Sequence, residues 1–299
     1  MSRFKNYLSL IKFSHTLFAL PFAMIGFFLG VFGTKIIHHN ELPGPGLILI
    51  RFILVLICMV TARSAAMAFN RYLDRNFDAR NPRTAIREIP RGIIAPNNAM
   101  RFVIICCIVF MTACWFINPI CFYLSPVALF VILFYSYTKR FTPLCHLILG
   151  LGLSLAPIGA FLAVTGHFES LPLLFSGAVV CWVSGFDIIY AMQDIDFDKS
   201  EKLFSIPVAV GKANALWISV LLHVLSAVFV IAAGFVGGFG GWYWVGIFLF
   251  TGMLVYQHLI VKPNYISRVN LAFMTANGIA SVAFAFFVIA DIYITHKHG

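Results

Sequence analysis

The chain is 299 residues long, 61% hydrophobic and only 11% charged, with a mean hydropathy of +0.93. Soluble domains run near a quarter charged, so this composition excludes a soluble globular protein and points to a polytopic membrane protein. The net charge of +10 is spread over the links between apolar runs, which argues against a nucleic-acid-binding surface.

A helix that crosses a bilayer needs roughly 20 apolar residues. Nine segments meet that ruler, at about 16–36, 48–69, 101–118, 120–138, 145–165, 171–192, 215–236, 242–261 and 271–291. The predicted fold is therefore all-α and integral to the membrane, one domain over 1–299 with nine transmembrane helices. The first 15 residues are basic and mixed and run into a span-length segment, so no cleavable signal peptide is expected. Asn118-Pro119 and Gly240-Gly241 fit tight helical hairpins. Gly150, Gly152 and Gly159, in the fifth span, read as small-residue packing positions. The seven cysteines lie in or beside apolar runs without metal-ligand spacing and read as small hydrophobes.

Charge placement orients the bundle. With the N-terminus on the cytoplasmic side, nearly all 21 Lys and Arg residues fall on that side. Lys35, Arg51 and Lys297 fall opposite, and Arg63 lies within a span. This is a strong positive-inside bias, which puts the N-terminus inside and the C-terminus outside. Of the 11 acids, all but Glu41, Glu169 and Asp291 lie on the cytoplasmic side.

Two cytoplasmic segments stand out, Arg71 to Met100 and Gln193 to Asn214. Each directly follows a span and begins with regularly spaced acids, which suggests a weak internal duplication. Asn70, Asp74 and Asp78 are spaced i, i+4, i+8. On a continuous helix they drift by only about 40° per step and line one face over about 12 Å. Asp187, Asp194 and Asp198 share a face in the second segment, with Tyr190 beside it and Asp196 pointing away. Arg63 shares the first face from inside the span, where a charge is costly and faces a cavity or a partner. The plain reading is a solvated cap in which the acids pair with nearby Arg and Lys. Two one-faced ladders argue for more, because carboxylates packed together repel unless a cation lies between them. Mg²⁺ suits such a site, and it binds through one or two carboxylates plus substrate phosphate oxygens. The surrounding arginines suit phosphate as well.

The stretch NRYLDRNFD, from Asn70, resembles the NDxxDxxxD motif of the UbiA superfamily of intramembrane prenyltransferases, and DIIYAMQDIDFD, from Asp187, resembles its second motif, DxxYAxxDxxxD. The resemblance spans nearly the whole chain and includes Arg63-Ser64, RTAIREIPRG after the first motif and SYTKR ending the fourth span. It implies a central cavity and transfer of a polyprenyl group from a polyprenyl diphosphate to an acceptor, often an aromatic ring. By resemblance, Asn70, Asp74, Asp78, Asp194 and Asp198 would hold Mg²⁺ and diphosphate. Asp187 and Tyr190 would line the same cavity, Lys139 and Arg140 would stand beside the diphosphate, and Arg63 would hold an anion such as the acceptor's carboxylate. Arg71 stands where the family motif has Asp. It points off the ladder face, so metal binding is expected to survive.

ARSAAMAFNRYLDRNFDARNPRT and IKFSHTLFALPFA look like a bacterial 4-hydroxybenzoate polyprenyltransferase-like subgroup. Its members serve ubiquinone synthesis or, through the futalosine route with a dihydroxynaphthoate, menaquinone synthesis. Either acceptor is a hydroxylated aromatic acid, and the location implied is a bacterial-type cytoplasmic membrane with the motifs on the cytoplasmic side. His15 is a candidate cavity residue, against the plainer reading of an interfacial histidine. A cation transporter would explain intramembrane acids, but not their clustering at one face among arginines. A CDP-alcohol phosphotransferase would need a DGxxAR…GxxxDxxxD motif that is absent.

Overall fold

The computed structural model describes residues 3–11, 19–33, 44–263, 265 and 268–298. It is all helical. A short helix α1 (Arg3–Leu10) precedes an apolar helix α2 (Leu20–Gly33). Then come α3 (Pro45–Leu73), the short α4 (Arg75–Arg80), α5 (Pro96–Ile117), α6 (Pro119–Thr138), α7 (Cys145–Thr165) and α8 (Ser170–Ala191). A single turn (Met192–Asp194) leads to the short α9 (Ile195–Ser200), followed by α10 (Ile206–Val236) and α11 (Gly241–Ile260). The last helical stretch, α12, covers Val269–Thr295.

Among the described residues, eight helices are long and apolar enough to cross a membrane. They match eight of the expected spans. The first expected span appears as α2, which is shorter, and its flanks lie outside the described residues, as does His15. Local chemistry sets the boundaries. Proline occupies the first turn of α3, α5, α6 and α10, where its missing N–H leaves no hydrogen bond unmade. The Asn118 side chain accepts from the Cys121 amide at 2.9 Å and donates to the Leu162 carbonyl at 2.8 Å, which caps α6 and ties it to α7. Gly166, at φ 73°, ends α7 in the left-handed conformation that suits glycine. The buried Asp291 accepts from the Gly240 amide at 2.7 Å, so this intramembrane acid caps α11 from a neighbouring helix.

α8 packs against α7 and α10, α3 against α5, α11 against α12, and α2 against α7 and α12. The main core, around Phe22, Phe175, Trp182, Tyr243, Phe250 and Phe284, fills the side formed by α2, α8, α11 and α12. Trp182 Nε1 donates to Asn277 there, at 2.9 Å. Large apolar side chains such as Trp115, Trp217 and Phe248 face outward, which suits lipid. The opposite side, between α3, α5, α6, α7 and α8, encloses a cavity of about 620 Å³.

The glycines divide. A Cβ at Gly150 would meet Ser184 Oγ at 2.5 Å, and one at Gly26 would meet the Pro157 carbonyl oxygen at 1.9 Å, so both permit close helix crossings. Gly152 borders the cavity but also faces Ile132 of α6, 3.8 Å from where its Cβ would lie, whereas Gly159, expected to pack, opens on the cavity and a Cβ there would meet nothing within 4 Å. Periodicity along one helix does not tell a packed face from a cavity face.

Candidate functional site

The polar end of the cavity is built where α3 and α8 stop. The helix does not run through the first ladder as the spacing implies. Asp74 sits at φ −88°, ψ 5°, and ends α3, and α4 restarts at Arg75. Asp194 does the same in the second segment, at φ −106°, ψ 6°, before α9. Both middle acids occupy the sparsely populated bridge region of backbone space. Each is followed by a six-residue helix that buries its own acid: Asp78 is 6% exposed and Asp198 0%. The suspected duplication therefore extends to backbone conformation. One-face alignment survives at Asp74 and Asp78 because the Asp74 amide still donates to Asn70 O and the Asp78 amide to Asp74 O.

The two segments interlock. Arg83 Nε donates to Asp194 Oδ1 at 3.0 Å, Arg83 Nη1 to the Tyr190 hydroxyl at 3.1 Å, and Asn81 Nδ2 to Asp194 Oδ1 at 3.3 Å. Arg80 pairs with Glu201 at 2.7 Å. From the end of α6, Lys139 Nζ lies 2.8 Å from Asp198 and Arg140 Nη2 lies 3.2 Å from Asp74. Arg140 also donates to the Leu73 carbonyl at 2.9 Å. Arg87 Nη1 holds Asp78 Oδ1 at 2.6 Å, and His146 Nδ1 lies 2.7 Å from Asp187 Oδ2.

Every ladder acid thus has a basic neighbour, and the repulsion expected among bare carboxylates is relieved pair by pair. Among the described residues, no three Asp, Glu, His or Cys side chains gather tightly enough to hold a metal ion alone. Asp78 Oδ2 and both Asp198 oxygens are enclosed without a hydrogen-bond partner, Asp198 Oδ1 keeping only its ion pair with Lys139. That donor set fits Mg²⁺ shared with phosphate oxygens better than a closed all-protein site.

Charge placement perturbs the groups at the helix ends. Burial pushes the Asp74 carboxyl above the usual carboxylate range, Asp78 adds to this, and Lys139 and Arg140 offset only part of it. Burial would lower Lys139, but Asp198, then Asp194 and Asp74, outweigh it and hold the ammonium above the ordinary lysine value. Lys139 therefore couples both ladders.

Of the residues expected from sequence, Arg63, Asn70, Asp74, Asp78, Lys139, Asp187, Tyr190 and Asp194 line the cavity. Arg140 and Asp198 stand behind that wall and act through Asp74 and Lys139. Arg71 departs from expectation. It is 3% exposed, lines the cavity and leaves Nη1 without a partner. The segment carrying Asp78, Arg87 and Glu88 folds over the end of α3, so the wall is wider than one helical stripe. The sequence reading also missed Asn81, Arg83, Arg87, Tyr135 and His146, all of which line the cavity. Arg83 and Arg87 lie in RTAIREIPRG, where their charge was visible but their partners were not. His146 carried one signal, a titratable residue in the first turn of an apolar span.

Comparison with known proteins bears on this geometry. The model of the UbiA prenyltransferase family matches residues 19–279. A 4-hydroxybenzoate octaprenyltransferase of Alkalilimnicola ehrlichii is 30% identical, covering 79% of this chain and 80% of its own. Its counterpart in Tolumonas auensis is 29% identical, covering 76% of this chain and 79% of its own. The apo structure of a UbiA homolog from Aeropyrum pernix superposes with a TM-score of 0.77 at 30% identity, covering 94% of this chain and 98% of that one. A UbiA homolog from Archaeoglobus fulgidus bound to DMAPP and Mg²⁺ shares the fold at 20% identity, with a TM-score of 0.72 over 97% of this chain and 99% of that one.

Proposed function

The chain belongs to the UbiA prenyltransferase family, and from that premise we propose that it transfers a polyprenyl group from polyprenyl diphosphate to a hydroxylated aromatic acid of the 4-hydroxybenzoate type, releasing diphosphate, in quinone biosynthesis. The observation that carries this reading is the convergence of Asp74, Asp78, Asp187 and Asp194 from two separate segments on one end of a cavity whose other end is apolar. The relatives named for 4-hydroxybenzoate support the acceptor class. The lipid-facing surface supports a multi-pass membrane location. The charge bias supports a nine-span chain acting as one domain, with its N-terminus and motifs on the cytoplasmic side of a bacterial-type inner membrane.

Asn70, Asp74, Asp78 and Asp194 would hold Mg²⁺, which supplies Lewis-acid neutralisation of the leaving diphosphate when bound, and Asp198, expected to join them, would do so only by turning from Lys139 into the cavity. Lys139, Arg83 and Arg87 present cations to the diphosphate oxygens, and Arg140 supports them from behind Asp74. For this the arginines turn from their carboxylates to phosphate, where the fork geometry matches equally well. Arg63, deeper in the cavity, holds the acceptor's carboxylate. The cavity excludes water from the allylic cation, and Tyr135 and Tyr190 place aromatic rings in its wall. The prenyl tail lies toward Val55, Cys114 and Leu162.

The test is purified protein with Mg²⁺ and labelled polyprenyl diphosphate, offering 4-hydroxybenzoate and 1,4-dihydroxy-6-naphthoate in parallel. A Mg²⁺-dependent prenylated product from either supports the reading and names the acceptor. Mg²⁺-dependent binding of the diphosphate without product from either would overturn the acceptor class. No binding at all would overturn the diphosphate site.

A further inference from the structure

Diphosphate handling leaves one buried pair in the cavity unused. His146 is 3% exposed, and its Nδ1 lies 2.7 Å from Oδ2 of Asp187. Close packing of α7 on α8 builds the contact. Ser184 Oγ donates to the His146 carbonyl at 3.1 Å, and Gly150 leaves the space that a Cβ would take, 2.5 Å from the same oxygen. An ionised carboxylate only accepts hydrogen bonds, so Nδ1 carries the proton. His146 Nε2 is enclosed without a partner.

This pair differs in kind from its neighbours. Asp74, Asp78, Asp194 and Asp198 each face a lysine or an arginine. Asp187 faces an imidazole and has no lysine or arginine partner among the described residues. Its side chain is 23% exposed in a residue that lines the cavity. It lies seven residues before Asp194, about 10 Å deeper along the helix, toward the level of Arg63. Cys145, Asp198 and Tyr135 are the other titratable groups acting on the pair, and Arg63 acts on Tyr135 in turn.

Resting on the prenyl-transfer reading above, we propose that Asp187 is the base that ionises the acceptor's hydroxyl group and that His146 is the positioning residue that aims it. The acceptor's O–H bond breaks and its proton passes to Asp187. The ring carbon ortho to the one bearing that oxygen bonds to C1 of the prenyl chain as the C1–O bond breaks, and the electron pair leaves on diphosphate. The hydrogen on that ring carbon then departs as a proton to the released diphosphate, and Asp187 returns its own proton to the ring oxygen.

The experiment compares the parent with Asp187→Asn, His146→Ala and His146→Asn, using whichever aromatic acid the parent prenylates and its ring-fluorinated analogue, whose hydroxyl ionises at lower pH. Asp187→Asn is expected to lower kcat at pH 7 by about 10²–10⁴-fold while still binding labelled prenyl diphosphate with Mg²⁺. Its rate recovers with the fluorinated acceptor, or as pH rises through the acceptor's own hydroxyl pKa, because the substrate then arrives ionised. His146→Ala slows transfer about tenfold or more, and His146→Asn, whose amide donates in place of Nδ1, restores most of it. Parent-like kcat in Asp187→Asn, a loss that neither fluorination nor pH moves, or a parallel loss of diphosphate binding would overturn the proposal. Where Asp187→Asn does not fold, the His146 variants decide: restoration by Asn supports the pair, and equal loss in both variants overturns it. A parent that prenylates no aromatic acid removes the underlying reading. An active parent with unaffected variants removes the base alone.

Discussion

Replacing Arg87 by Gln strips the cation from Asp78, and the structure sets the cost. Asp78 is 6% exposed, Arg87 Nη1 is 2.6 Å from its Oδ1, and Oδ2 has no partner. Removing one member of a buried ion pair costs about 3–5 kcal/mol. The Arg87 side chain is 21% exposed, so the low end, about 3 kcal/mol, applies. At roughly 2–4 °C per kcal/mol for a large domain, the unfolding midpoint in EDTA falls by about 6–12 °C. Mg²⁺ held at Asp78 replaces the lost charge, and at a hundred times its Kd it adds about 2.7 kcal/mol. The parent gains less, because Arg87 already occupies Oδ1. The assay is thermal unfolding in detergent, followed by tryptophan fluorescence, of both proteins in EDTA and in Mg²⁺. Equal midpoints in EDTA would refute the ion-pair argument. An equal deficit in EDTA and in Mg²⁺ would refute a metal at Asp78.

Asp74→Asn and Asp194→Asn are each expected to abolish prenyl transfer while leaving a folded, monodisperse protein, and full activity in both would remove the ladder assignment. Asp74 also has a pH signature in EDTA. Burial raises its folded-state pKa above the unfolded value, so its charge destabilises the fold above the folded pKa, and that penalty fades as pH falls through it. Asp74→Asn should therefore be the more stable protein at pH 7.5 and lose its advantage on acidification, as read from melting midpoints across pH. Gly26→Ala forces a Cβ to 1.9 Å from the Pro157 carbonyl oxygen, and overpacking of this kind costs about 1–3 kcal/mol. Gly159→Ala enters open cavity and should stay within about 0.5 kcal/mol of the parent. Matched melting curves separate the two.

Length and hydropathy alone were enough to place the eight long helices α3, α5–α8 and α10–α12, because a bilayer imposes a minimum apolar length that few other constraints imitate. The acids Asp74, Asp78, Asp187, Asp194 and Asp198 were legible for a related reason: a carboxylate beside a membrane-length segment is costly, so its spacing carries information. Two features on the same chain were not legible. The helix breaks at Asp74 and Asp194 have backbone angles nearly alike and leave no mark in the spacing. The i, i+4 pattern reads the same whether or not the helix stops.

Partnership was the larger gap. That Arg83 holds Asp194, Lys139 holds Asp198 and His146 holds Asp187 depends on contacts more than 40 residues apart in sequence, and no local pattern encodes which base meets which acid. Arg71 shows the same limit from the other side. On an isolated helix it points away from the ladder, and only the segment folding over the end of α3 turns that position into cavity wall. The sequence by itself determined the kind of protein, the membrane-length helices and the acids at their ends, since those follow from composition and spacing along the chain. The tertiary structure alone decided which charges neutralise one another, which carboxylate oxygens remain available and which acid is left facing a histidine, because these depend on distances across helices that spacing along the chain does not specify.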